Sequence, residues 1–176
     1  MNTIIDNDLL SIQEARILAE NAREAQKKLA AFPQEKLDGI VDHMAEEIGK
    51  YARELAIMSS EETDYGLWQD KYIKNRFVCE YLRQKLRGLR CVGIISRDEE
   101  NKTIDVGVPI GVIASLCPAT SPVSTTIYKV LIAIKSGNSI IVSPHPRAQK
   151  SIGRVLDIMT ETALRYGLPE NAISYM

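Results

Sequence analysis

At 176 residues the chain has room for one ordinary domain or parts of two. Hydrophobic residues make up 45% and charged residues 26%, a composition that excludes a disordered chain. The 22 basic and 23 acidic side chains leave a formal charge of -1, so the balance asks for neither nucleic acid nor an anionic membrane as a partner.

Residues 1–87 read as helices. Ser11 with Glu14 has capping-box spacing, ahead of a face marked by Ile12, Ala15, Ala19 and Ala22. Phe32-Pro33 breaks that helix and suits the first turn of the next. The second helix carries the cleanest stripe of the chain, Leu37, Ile40, Val41, Met44, Ile48, Ala52 and Leu55, at spacings of three and four. Ser59 with Glu62 forms a second capping box, which predicts a third helix running through Trp68, Tyr72, Phe77 and Tyr81 to Leu86. Its aromatic residues, with Tyr65, suit packing or subunit contact better than base stacking.

The pattern changes at Gly88. Residues 90–97 are strand-like, 98–101 form a charged turn and 102–108 alternate again, so the pair predicts a hairpin. Residues 112–117 are mostly apolar without strict alternation, as expected of a parallel strand covered on both faces. Residues 124–136 are a helix with Ile127, Val130, Leu131 and Ile134 on its apolar face, ended by Gly137-Asn138. A buried strand at 139–143 follows, then a helix at 147–166 closed by Gly167 and Pro169, and a further strand at 172–176. Strand, helix, strand, helix, strand predicts an α/β fold: an incomplete doubly wound parallel sheet, preceded by helices and a β-hairpin. Three regions are expected: a helical segment at 1–88, the hairpin at 89–109, and the first part of a Rossmann-like domain at 110–176.

Ligands in such a sheet sit at the carboxyl ends of the strands, near helix N-termini. The two candidate loops are therefore 118–122 and 143–146, both stiffened by proline and both bearing small polar side chains. The Gly-x-Gly-x-x-Gly fingerprint and the phosphate-loop lysine motif are absent, so pattern alone leaves nucleotide binding and a purely structural role both open. Cys79, Cys91 and Cys117 form no CxxC pair and no zinc-ligand spacing, and no metal site is expected. An odd cysteine count suits a reducing compartment. The acidic start MNTIIDNDLLS lacks a basic segment followed by an apolar one, and no apolar stretch approaches the roughly 20 residues of a spanning helix. A cytoplasmic location follows as the expectation.

The segments GVPIGVIASLCPATSPVSTTIYKVLIAIKSG and NSIIVSPHPRAQ resemble the CoA-acylating branch of the aldehyde dehydrogenase superfamily. The resemblance extends upstream to Glu62-Thr63, Gly66, Asp70-Lys71, Lys74-Asn75, Phe77 and Glu80-Tyr81, so it covers at least residues 62–176. It is strongest toward the aldehyde half of aldehyde-alcohol dehydrogenases and toward acylating sulfoacetaldehyde dehydrogenases. What it implies is oxidation of a small aldehyde to an acyl-CoA: a cysteine thiolate attacks, hydride passes to NAD or NADP, and coenzyme A releases the thioester. The family's nucleophilic cysteine and diphosphate loop match nothing in the 176 residues. The expectation is thus an opening portion of such an enzyme, inactive alone and weak or void in cofactor binding. A non-catalytic binding or assembly module is the alternative.

By that resemblance, Pro118, Ala119, Thr120 and Ser121 belong to the loop beside the nicotinamide and the reacting aldehyde. Hydrolytic relatives place an asparagine at the Thr120 position, and acylating relatives follow their threonine with asparagine where this chain has Ser121. Thr120 and Ser121 are the candidates for oxyanion-side polar groups; the structural alternative is that they cap the following helix. Ser143, Pro144, His145 and Arg147 belong to the ribose-side loop. Hydrolytic relatives carry lysine at Ser143 and glutamate at Pro146; here no carboxylate stands to repel a 2′-phosphate, which leaves both NAD and NADP open. His145 has two readings, nucleotide contact or a hydrogen bond to backbone, and Arg147 is either a phosphate contact or an exposed helix-start side chain. His43 is expected at a boundary or surface. Cys117 abuts the first loop but its strand pattern predicts a buried, inert thiol. The hairpin corresponds to an arm that relatives use to form oligomers, so a homo-oligomer is the expected state of the intact enzyme.

Overall fold

A computed structural model describes residues 6–176. The first helix, α1 (Asn7–Leu29), starts earlier than its apparent capping box. Asp6 is the N-cap, its carboxylate accepting from the N–H groups of Asp8 and Leu9 at 3.0 and 3.1 Å. Ser11 sits inside the helix and donates to the Asn7 carbonyl. Of the expected apolar face only Ala22 is buried; Ala25 and Leu29 join it, while Leu9, Leu10, Ile12 and Ile17 stay exposed.

The stripe at residues 37–55 is buried throughout, but two helices carry it: α2 (Gln34–Lys50) and α3 (Ala52–Thr63), which meet at Tyr51. Ser59 and Glu62 therefore open nothing. They lie in the last two turns of α3, where Ser59 donates to the Ala56 carbonyl. The expected single third helix is interrupted, because Asp64 takes a left-handed C-cap and Gly66 has φ +74. After the break come α4 (Trp68–Arg76), a π-helical turn (Phe77–Leu82) and α5 (Arg83–Leu86). The π turn brings the adjacent Val78 and Cys79 into the core together, Cys79 against Gly49 of α2. Tyr65, Phe77 and Tyr81 remain exposed.

The hairpin is shorter than its sequence pattern. β1 (Gly93–Asp98) pairs antiparallel with β2 (Thr103–Gly107), with a bulge between Ile94 and Ser96. Gly107 is required at its base, since a Cβ there would overlap the Cys91 carbonyl oxygen. Gln34 anchors the chain entering the hairpin. Its side-chain oxygen accepts from the N–H groups of Cys91 and Val92 at 2.6 and 2.9 Å, and its amide donates to Asp38 and to the Lys135 carbonyl.

The expected α/β sheet follows: β3 (Val112–Cys117), α6 (Pro122–Lys135), β4 (Ser139–Pro144), a 3₁₀ turn (Pro146–Ala148), α7 (Gln149–Arg165) and β5 (Ile173–Tyr175). The strands are parallel in the order β3-β4-β5. Helix α1 lies against all three, α6 and α7 pack on the sheet and on each other, and α2 packs across α6 and α7. The core thus joins Leu37, Met44 and Ile48 to Ile127, Leu131, Ile134, Ile140, Ile152 and Leu156, all fully buried. Beneath α2, Lys135 is 2% exposed and donates to Asp38 at 2.6 Å, closing the polar junction begun by Gln34. β3 is an edge strand. Leu116 within it and Ile110 just before it are exposed, and the Lys129 ammonium covers the Leu116 carbonyl.

Candidate functional site

Because β3 and β4 are parallel neighbours, their carboxyl ends lie side by side, and each opens into a corner bounded by proline. Pro118, Ala119, Thr120 and Ser121 link β3 to α6; Ser143 and Pro144 end β4, and His145, Pro146 and Arg147 lead toward α7. The two corners are bonded to each other. The backbone N–H of His145 donates to the carbonyl of Cys117 at 3.0 Å. Between them lies a crevice of about 380 Å³ lined by Leu116, Cys117, Pro118, Ser143, Pro144 and His145, with Pro146 at its rim. Of the sequence-predicted residues, Pro118, Ser143, Pro144 and His145 line this crevice, whereas Ala119, Thr120, Ser121 and Arg147 do not.

Their individual placements differ. Pro118 and Thr120 are exposed, while Ala119 and Ser121 are half-buried. Ser121 occupies the N-cap position of α6, yet its side chain makes no capping hydrogen bond, and Pro122 takes the first helical position, where no N–H is needed. The α6 first turn also holds no acidic residue. The capping role weighed for Ser121 is thus absent. Ser143 and Pro144 are half-buried; His145 and Arg147 are exposed. His145 accepts through Nδ1 from the Arg147 N–H at 3.1 Å and so caps the 3₁₀ turn, which is the backbone-bonded arrangement weighed for it.

Three further side chains act on these loops, and none shows its role in the sequence pattern. Glu62, at the end of α3, accepts from the N–H groups of Lys150 and Ser151 at 2.6 and 2.8 Å. These are free amides of the first turn of α7, so the chain's own carboxylate fills the anion position at that helix end. From α4, Lys71 donates to the Thr120 carbonyl at 3.1 Å, and Lys74 lies 3.5 Å from the Ser121 hydroxyl. Lys71 is 6% exposed. Its burial, and then the neighbouring charge of Lys74, hold its ammonium below the ordinary lysine range. Glu62, Lys71 and Lys74 all fall within the stretch that carries the resemblance. The sequence alone offers no signal for Lys71, whose position on the buried side of α4 emerges only from the fold.

The thiols divide by burial. Cys117 is buried, as its strand position predicted. Burial, with the Glu80 charge second, pushes the Cys79 thiol up to about 12. His43 lies elsewhere, exposed on α2 and stacked on Tyr166 with ring centroids 3.7 Å apart. Among the described residues no group of three or more His, Cys, Asp or Glu side chains is arranged to hold a metal ion, and no helix is long and apolar enough to cross a membrane.

The aldehyde dehydrogenase family model matches residues 3–176. The chain belongs to that family. Among its relatives, the aldehyde-alcohol dehydrogenase of Clostridium acetobutylicum is 41% identical over 154 residues, covering 88% of this chain and 18% of that protein. The acylating sulfoacetaldehyde dehydrogenase of Cupriavidus necator is 32% identical over 176 residues, covering 95% of this chain and 36% of the relative. The crystal structure of an acetylating aldehyde dehydrogenase from Geobacillus thermoglucosidasius superimposes with a TM-score of 0.93 at 42% identity, over 98% of this chain and 38% of that one. The chain thus spans well under half the length of each, and the helices, hairpin and parallel strands described above are family architecture.

Proposed function

We propose that this chain supplies the nicotinamide-side and ribose-side corners of a CoA-acylating aldehyde dehydrogenase, which oxidises a small aldehyde to an acyl-CoA with NAD or NADP. The observation that carries the reading is the joining of the two family loops at one crevice by the His145 N–H to Cys117 carbonyl bond. The crevice suits a dinucleotide's flat rings: it is walled by stiff prolines and lined with few charges. The ribose side carries Ser143 and His145 and no carboxylate, so a 2′-phosphate meets no like charge there. NAD or NADP, when bound, supplies the hydride acceptor.

Pro118, Ala119 and Thr120 shape the wall beside the reacting carbon in this reading. The Thr120 and Ser121 hydroxyls are the polar groups offered to the developing oxyanion. The nucleophile comes from outside the 176 residues, since Cys79 and Cys117 are buried and Cys91 lies by the hairpin and does not line the crevice. Its thiolate adds to the aldehyde carbonyl, hydride leaves that carbon, and coenzyme A displaces the thiolate to give the acyl-CoA. The exposed hairpin, with Ile94, Ile95, Ile104 and Val106 uncovered, suits contact between subunits.

The test is an assay of an enzyme containing this segment together with the rest of a relative's length, using acetaldehyde and sulfoacetaldehyde with and without CoA. Reduction of NAD or NADP that requires CoA is expected. A folded enzyme that reduces neither nucleotide with either aldehyde would overturn the reading. The 176-residue chain alone is expected to show no turnover.

A further inference from the structure

Lys71 and Lys74 sit on one side of α4, three residues apart, and both ammonium groups turn to the corner after β3. Neither takes part in any of the ion pairs formed among the described residues. The oxygens they reach are neutral: the Thr120 carbonyl and the Ser121 hydroxyl. A buried cation is ordinarily paired, because a lone carbonyl dipole returns little of the hydration it gives up. The other deeply buried lysine obeys that rule, Lys135 resting on Asp38. Lys71, at 6% exposure, does not. Beside the pair stands the first turn of α6, uncapped by the Ser121 side chain and free of acidic residues. Two cations and the start of α6 converge, and among the described residues no carboxylate stands within 4.0 Å of either ammonium.

We infer that Lys71 and Lys74, with the first turn of α6, form a binding site for the oxyanion of a small molecule: the carboxylate or sulfonate tail of an acidic aldehyde, or a phosphate of the cofactor or coenzyme A. Lys74, the exposed member, meets the ligand directly; Lys71 supplies the fixed charge beneath it and holds the Thr120 carbonyl in place. The ligand's place in catalysis rests on the reading of the 118–122 loop given above, but the site itself is testable without turnover.

The experiment is an NMR titration of the ¹⁵N-labelled 176-residue chain at constant ionic strength, with sodium chloride as the control. One arm uses methanesulfonate and acetate for the acidic-tail source, the other inorganic phosphate and pyrophosphate for the phosphate source. Saturable shifts are expected at the amides of Lys71, Lys74, Thr120, Ser121, Val123 and Ser124, and the arm that saturates at lower concentration names the source. Lys74→Gln, an exposed change that leaves the packing intact, is expected to weaken that binding by roughly fivefold or more, and Lys74→Glu to abolish it. Shifts that track chloride in both arms overturn the site, as does equal affinity in Lys74→Gln. A negative titration leaves the acylating reading to its own CoA assay, so the two failures are distinguishable.

Discussion

Glu62 shows how one side chain fastens the helix that follows a candidate corner. Its carboxylate takes two backbone N–H groups that lie 88 and 89 residues further along the chain, and thereby fastens α3 to the start of α7. Replacing it with alanine orphans two helix-start donors, the Lys150 N–H exposed and the Ser151 N–H partly buried. Glu62→Ala is expected to cost about 1–2 kcal/mol, and Glu62→Gln less, since the amide keeps one accepting oxygen. Urea melts of the two variants check the order; a neutral Glu62→Ala would show that water replaces the carboxylate at no cost. This residue was visible in the sequence and misassigned there. With Ser59 it has capping-box spacing, and nothing local says that its partners belong to another helix. Lys71 escaped in the same way: a lysine on a helix reads as solvated until the chain brings Thr120 over it.

Among the elements, α2 and α5 are held by a carboxylate between two guanidiniums. Asp42 accepts from Arg83 at 2.8 Å and from Arg87 at 3.2 Å. Burial alone would raise the Asp42 carboxyl, but the hydrogen bonds from Arg83 and Arg87 outweigh it and hold the group below the usual aspartate range. A carboxyl lowered on folding stabilises fully above its unfolded value of about 4 and loses that contribution as pH falls through the folded value. The chain is therefore expected to lose stability below about pH 4, with Asp42→Asn flattening that limb. At neutral pH the same change costs under about 1 kcal/mol, because the cluster is partly solvated. Urea midpoints between pH 2 and 7 check both, and an identical acid limb in the variant would place the loss elsewhere. Element ends were less legible than element types. The α3–α4 break depends on a left-handed Asp64 and on Gly66, and the π turn serves tertiary burial of Val78 and Cys79, which a helical repeat does not encode.

For the molecule as a whole, burial sorts the three thiols, of which the strand pattern places Cys117 inside. Cys79 and Cys117 are 3% and 4% exposed, and Cys91 is half-buried beside the hairpin. Native alkylation with iodoacetamide at pH 8 is expected to label Cys91 first, and all three only in urea. Peptide mass spectrometry reads the sites; equal native labelling would contradict the packing. The parallel sheet was legible because strands and helices alternate with clean apolar runs and glycine stops. The candidate site was legible as two loops but not as one cleft, since the joint between them is a backbone bond from His145 to Cys117 that no side chain announces. That joint has an evolutionary consequence. In the function proposed above, a substitution that reshapes the ribose-side corner is felt at the nicotinamide-side corner through that amide and the β3–β4 ladder beneath it. On that proposal, a change of cofactor preference and a change of aldehyde preference are not independent events.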